Sequence, residues 1–375
     1  MSIETSFKTE EMLLNMGPQH PSTHGVLRLE LLTDGEIIRD VQPQIGYLHR
    51  CFEKHAENLT YPQIIPFTDR LDYVASMNNN LGFCIAVEKL AEIEVPERAE
   101  YIRVIVAELN RIASHLLAFG TYGMDIGAFT PFLYAFRERE LILDLFEICC
   151  GARLTYNYVR IGGVMRDLND KFIELTRKFL DIFEPKIVEY NNLLSYNDIF
   201  IGRTRGIGIL TPEDALSYNV TGPNLRGSGI CWDLRRNRTY SIYNRFDFEI
   251  PVATNDIGII GDSWNRYFIR LKEMEQSVRI IRQAIDQMPA GDFMGKVAKT
   301  IKPPIGEIYS STETPRGELG YYIISDGSPK PYRVKVKSPC FTALSAVREI
   351  SRGHMLADII AIVGSIDIVL GEVDR

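Results

Sequence analysis

The first fifty residues alternate rather than repeat at helical spacing. Val26-Leu27-Arg28-Leu29-Glu30-Leu31-Leu32 runs into a Thr33-Asp34-Gly35 turn, and Ile37-Ile38 resumes beyond it, so residues 1–50 are expected to be β structure. From residue 60 the pattern becomes helical. After Pro96, the residues Ile102, Val106, Leu109, Ala113 and Leu116 recur at spacings of four and three, which predicts an amphipathic helix ending at Gly120. A loop, Thr121 to Gly127, then leads to a second helix opened by Thr130-Pro131 and striped by Phe132, Phe136, Leu143 and Phe146. Residues 168–195 and 263–288 read as two further long helices, and 60–198 as a helical core. Residues 200–255 are expected to be strand-rich. In 305–340, Gly320–Ile324 and Tyr332–Val336 flank an Asp326-Gly327 turn, which predicts more β structure. Residues 350–375 form a short apolar helix and an extended tail. The pattern predicts one α+β unit, a bundle of long helices with peripheral β elements.

Composition narrows the partners. The chain has 375 residues, 45% of them hydrophobic, and no Gly/Ser-rich or Pro-rich linker. A net charge of −7 argues against nucleic acid, and no Lys/Arg cluster suggests an anionic membrane surface. The opening MSIETSFKTEEMLL has no signal-peptide character. The longest apolar stretch, Met355 to Gly371, contains Asp358 and Asp367 and is too short and too charged to cross a membrane. Cys51, Cys84, Cys149, Cys150, Cys231 and Cys340 form no CxxC pair, which excludes a disulfide framework and a zinc or iron–sulfur site. They fit buried thiols in a reducing cytoplasm. Any electron used here must therefore come from another subunit.

The candidate chemistry lies in short motifs. Gly206-Ile207-Gly208 lacks the third glycine of a dinucleotide loop, and Thr211-Pro212-Glu213-Asp214 reads as a helix cap. No phosphate loop, GxSxG elbow or HExxH is present. GPQHPSTHG, residues 17–25, presents His20 and His24 on a loop in which Pro18 and Pro21 forbid a helix. Such a loop is either a plain surface turn or a rigid holder of proton donors. GYLHRCFEK, from Gly46, and DRLDY, ending at Tyr73, concentrate ionisable groups at helix starts, where solvated faces and core tyrosines are the common alternatives. Asp125 sits among apolar residues, where a carboxylate needs a partner, and a histidine is the natural candidate.

Together GPQHPSTHG, GYLHR.FEK, DRLDY, TPFLYAFRERELILDLFE, RIGG and the terminal GEVDR resemble the D-subunit family of NADH:quinone oxidoreductase, respiratory complex I, over nearly the whole chain. That family is similar in fold to the large subunit of nickel–iron hydrogenases. The positions of the four nickel-binding cysteines correspond to Asp72, Ala75, Val369 and Glu372, none of which supplies a thiolate, so no nickel site is expected. The resemblance implies a quinone headgroup in that cavity. Tyr73 and His24 match the pair that hydrogen-bonds its two carbonyls, and Asp125 matches the carboxylate partner of that histidine. A phenol and an imidazole both suit proton donation to a reduced quinone. His20 and Thr121 would line the same chamber. Arg50 and Arg70 match arginines near the terminal iron–sulfur cluster of a neighbouring subunit, where positive charge would raise its potential.

The implied protein binds no cofactor of its own, takes quinone as substrate, and relies on an iron–sulfur cluster and on NADH and FMN sites in partner subunits. Its partners would be the subunit carrying the terminal cluster, other peripheral-arm subunits and a membrane subunit at the quinone entrance. It would lie peripherally on the cytoplasmic side of the cell inner membrane. The alternatives are the same role in a complex fed by ferredoxin or another donor, or a non-redox scaffold. Asp374 and Arg375 resemble a buried terminus. Thr155 stands where many members carry a histidine associated with proton-coupled tuning of the cluster, Cys51 replaces a common glycine, Ile368 replaces a common proline, and residues 288–303 are short.

Overall fold

A computed structural model describes residues 10–18 and 24–375. Three strands, β1 (Glu11–Met16), β2 (Arg28–Asp34) and β3 (Ile37–Gln44), form an antiparallel meander. Leu29, Leu31 and Thr33 of β2 are buried while their neighbours are half-buried, the alternation that the sequence shows. Their covered face packs with Ile38 and Val41 against the C-terminal helices described below.

The helical core follows. After α1 (Phe52–Ala56) and α2 (Tyr61–Thr68) come α3 (Ser76–Ala91), α4 (Glu97–Asp125) and α5 (Thr130–Cys150). A two-residue pairing, β4 (Val159–Arg160) with β5 (Gly163–Val164), leads into α6 (Asp170–Tyr190), which Asn169 caps. Helix α4 is the axis of the molecule. It is about 44 Å long at 1.5 Å per residue and is covered on nearly all sides, so Arg103, Glu108, Arg111 and His115 are buried along with its apolar residues. Buried charges need partners. Arg103 pairs with Glu88, Arg235 bridges Glu108 and Asp233, and Glu273 receives both Arg226 and His115.

Two expectations are corrected here. Helix α4 does not stop at Gly120 but runs to Asp125, so most of the expected loop is its last turn and Asp125 is its final residue. The glycine serves close packing instead. A Cβ on Gly120 would lie 3.0 Å from the Phe132 Cα of α5.

Residues 200–255 contain no strand. They fold as α7 (Asp198–Thr204), α8 (Pro212–Ser217), α9 (Pro223–Gly227), α10 (Leu234–Asn237) and a 3-10 turn at Tyr243–Arg245. Short apolar runs do not separate strand from helix by themselves. Here Asn197, Thr211 and Asp233 cap three of the short helices through their side chains, and Pro223 opens another.

Helix α11 (Ser263–Gln287) packs against α4, α9 and α6. The second sheet is β6 (Gly306–Thr314), β7 (Gly317–Ser325) and β8 (Arg333–Lys337), an antiparallel meander. The C-terminal part is α12 (Pro339–Ser345), α13 (Val347–Ser351), α14 (Asp358–Ile366) and α15 (Leu370–Asp374). The tail is thus one helical turn rather than an extended strand. It is held by Asp374, whose carboxylate accepts from the Gly46 and Leu48 amides at 2.8 and 2.7 Å. The whole is the long-helix α+β architecture that the sequence pattern predicts.

Candidate functional site

The site is built around the C-terminal half of α4. His24 sits with φ near 50°, in the left-handed region, at the end of the proline-rich loop. Its Nε2 lies 2.7 Å from Asp125 Oδ2, and the two side chains are 12% and 1% exposed. The partner expected for Asp125 is therefore this histidine. His20 lies outside the described residues.

Tyr73 stands on the loop between α2 and α3. Polar side chains fix the backbone of that loop. Asn79 donates to the Asp72 carbonyl at 3.0 Å, Ser76 to the Asp69 carbonyl at 3.0 Å, and Asn110 of α4 to the Val74 carbonyl at 3.0 Å. With the backbone pinned, the Tyr73 ring projects outward and remains 40% exposed. Burial of its inner edge, with the Asp72 carboxylate adding, pushes the phenol above its ordinary value, so it holds its proton at neutral pH.

Arg316, in the turn between β6 and β7, ties this loop to α4. Its guanidinium donates to Asp72 Oδ2 at 2.6 Å, Ser114 Oγ at 2.9 Å and Asp367 Oδ1 at 3.2 Å. Sequence reasoning did not find Arg316, which stands 244 positions from Asp72 in a hairpin turn without a motif.

Arg50 and Arg70 come together beside Tyr73. Arg50 donates to the Arg70 carbonyl at 2.6 Å, both side chains are exposed, and among the described residues neither forms an ion pair. Gly371 of α15 closes against them. A Cβ there would meet the Leu71 and Arg70 carbonyls at 2.8 and 2.9 Å. Thr121 lies one turn before Asp125 on the same face of α4, but its hydroxyl donates to the Leu117 carbonyl at 2.8 Å. Thr155 donates to its neighbour's carbonyl, at 2.7 Å from Leu154 O.

Asp69 is a second residue that sequence reasoning left without a role. It is 1% exposed, accepts the Asn157 amide at 3.3 Å and is pushed up by burial to about 7. Beside the His24 loop, Leu14, Met16, Gly17, Leu31, Leu356 and Ile360 line a largely apolar groove of about 650 Å³. All six cysteines are free, and no three His, Cys, Asp or Glu side chains among the described residues are grouped to hold a metal ion. Among the described residues no helix is long and apolar enough to cross a membrane.

The arrangement offers a phenol and a carboxylate-paired imidazole on one helix frame, beside two exposed guanidiniums and an apolar groove. The model of the respiratory-chain NADH dehydrogenase 49 kDa subunit family matches residues 125–303 and 293–375. The chain belongs to this family. It is 55% identical to the D subunit of NADH-quinone oxidoreductase from Pelodictyon phaeoclathratiforme, over 100% of this chain and 94% of that protein. The corresponding protein of Chlorobaculum parvum is 54% identical over 100% of this chain and 95% of its own length. That of Chlorobium chlorochromatii is 55% identical over 100% and 94%. Membership accounts for the long-helix α+β architecture.

Proposed function

We propose that this chain is the subunit of an NADH:quinone oxidoreductase that forms the site of quinone reduction, active only in the assembled proton-translocating complex. The observation that carries this reading is the 2.7 Å contact between His24 and Asp125 at one end of α4, with the Tyr73 loop tied to the same helix through Arg316 and Ser114. Reduction of a quinone takes two electrons and two protons, and donors are needed at both oxygens. Tyr73 donates at one. His24 donates at the other, and Asp125 orients the ring and pairs with it when it is cationic. The apolar groove beside the His24 loop suits a hydrophobic tail.

Electrons reach the quinone from an iron–sulfur cluster in a neighbouring subunit. Arg50 and Arg70 face that subunit, because both side chains are exposed and cationic, which favours an electron-rich group. The chain sits peripherally, on the cytoplasmic side of the membrane, against a membrane subunit that completes the quinone entrance. The test is quinone reductase activity of membranes carrying Tyr73→Phe, with assembly verified on native gels. Phe keeps the ring and removes the hydroxyl, so a loss of tenfold or more in an intact complex is expected. Full activity in an assembled complex would remove the site from Tyr73 and favour a scaffold role.

A further inference from the structure

Gly364 stands inside α14, where alanine would favour the helix and where no left-handed φ calls for a glycine. What it provides is space. A Cβ on Gly364 would lie 2.9 Å from Asp125 Oδ2, 2.7 Å from Tyr122 Cδ2 and 3.0 Å from Tyr122 Cε2. Asp125 Oδ2 is the oxygen that faces His24 Nε2 at 2.7 Å. The carboxylate therefore reaches its histidine from the place where a side chain at position 364 would begin.

Neither α14 nor Tyr122 is free to give way. The residues after Gly364 are pinned to α9 and α11. Ser365 Oγ accepts from Arg266 Nε at 3.0 Å, and the Ser365 carbonyl accepts from Arg270 Nη1 at 2.8 Å. The Ile366 carbonyl accepts from Arg270 Nη2 and from Asn224 Nδ2, both at 3.0 Å. Asp367 then takes φ 57°, and Arg316 of the β6–β7 turn donates to its carbonyl at 3.0 Å and its carboxylate at 3.2 Å. A non-glycine residue keeps such a φ only where its surroundings fix it.

Tyr122 is walled in as well. It is 2% exposed, and its ring meets those of Phe200 and Tyr267 at centroid separations of 5.6 and 5.8 Å. A close-packed interior transmits a displacement rather than absorbing it. The short Asp125 side chain, on the last residue of α4, is the part left to move.

We propose that Gly364 is a positioning residue for quinone reduction, leaving open the space from which the Asp125 carboxylate holds His24. This rests on the reading of His24 as a donor. Gly364 touches neither the quinone nor the transferred proton, and acts through Asp125. A methyl group at 364 displaces the carboxylate and turns the imidazole with it. Misplacing a reacting group by about 1 Å costs on the order of 100-fold in rate. Quinone binding at Tyr73 and in the apolar groove is left as it was, so the loss falls on kcat.

The test uses the assembled complex in membranes carrying Gly364→Ala, with quinone reductase rates normalised to reduction of a hydrophilic acceptor. The expected result is a fall in kcat of about tenfold or more, with KM for quinone within about twofold of wild type. Asp125→Ala is the second arm. With the carboxylate gone there is nothing to displace, so Gly364→Ala added to Asp125→Ala should cost no further activity. Losses that multiply in the double variant, or a change in KM alone, would mean that Gly364 acts on something other than Asp125, and would overturn the proposal. If Gly364→Ala does not assemble, assembly of the double variant decides. Its recovery identifies the carboxylate as what the methyl strikes, whereas its failure beside an assembled Asp125→Ala places the obstruction at Tyr122 and overturns the proposal. An impaired Asp125→Ala beside a fully active Gly364→Ala would reject the role of Gly364 alone, and a fully active Asp125→Ala would reject the His24–Asp125 site beneath it.

Discussion

Ser114 and Asp125 lie eleven residues apart on α4, close to three full turns, so they share one face of the helix about 16 Å apart. Ser114 holds Arg316 and through it the Tyr73 loop, and Asp125 holds His24. One rigid element therefore sets the separation of the two proposed donors. Asp125→Asn keeps the shape of this frame and removes the charge facing His24. Quinone reductase activity of the assembled complex should fall by tenfold or more, with reduction of hydrophilic acceptors unchanged. An unaffected rate would leave the His24–Asp125 contact with a purely structural role.

Arg316 is the cation on which the buried acids of this frame depend. Arg316→Met would leave Asp72 without its 2.6 Å partner and Asp367 with only the longer approach of Arg270. Breaking a buried pair from one side costs about 3–5 kcal/mol. The expected outcome is little or no assembled complex on native gels. The double variant Arg316→Met, Asp72→Asn should recover part of it, because it removes the orphaned charge. Equal loss in the single and double variants would mean that packing of the Arg316 stem, rather than charge, holds the turn.

These contacts mark how far the sequence could be read. The 3.6-residue stripe of α4 and the alternation of β2 follow from which faces are buried, and both are visible in the chain. The need of Asp125 for a partner was equally visible, since an isolated carboxylate among apolar residues is costly. Gly120 misled because a glycine that ends a helix and one that admits a neighbouring backbone look the same in one dimension, and here Phe132 of α5 makes the difference. Residues 200–255 misled because short apolar runs carry no period. Their form is set by caps such as Thr211 and by Arg226 and Arg235, whose buried partners lie far along the chain. Arg316 had no signal at all, because its importance arises only when residues 72, 114 and 367 converge on it.

The hairpin that carries Arg316 is seated by a glycine contact. Gly222 has φ +70°, and a Cβ there would lie 2.4 Å from the Gly317 Cα and 2.7 Å from the Arg316 carbonyl. Both obstacles are backbone and cannot step aside cheaply. Gly222→Ala is therefore expected to destabilise the chain by about 3 kcal/mol or more, through overpacking and a strained φ together. Gly202, exposed within α7, has nothing within 4 Å of its would-be Cβ. Gly202→Ala should stabilise by about 1 kcal/mol, the helical preference of alanine. Thermal denaturation of the assembled peripheral arm would compare the two, and a similar effect of both substitutions would contradict the close seating of the hairpin.

Asp69 supplies a pH test whose sign follows from its burial. Its carboxyl is 1% exposed and raised to about 7, with burial the main cause and the Asn157 amide opposing. In the unfolded chain an aspartate ionises near 4. Between these values the folded chain binds the extra proton, so this group's contribution to stability is complete below about pH 4 and is lost as pH rises through 7. Asp69→Asn mimics the protonated form at every pH. Relative to wild type it should therefore be stabilising at pH 5.5 and more strongly stabilising at pH 8, read as melting temperature of the assembled arm in the two buffers. Equal destabilisation at both pH values would show that Asp69 is ionised throughout, held as an anion by the nearby Arg70 and Arg160.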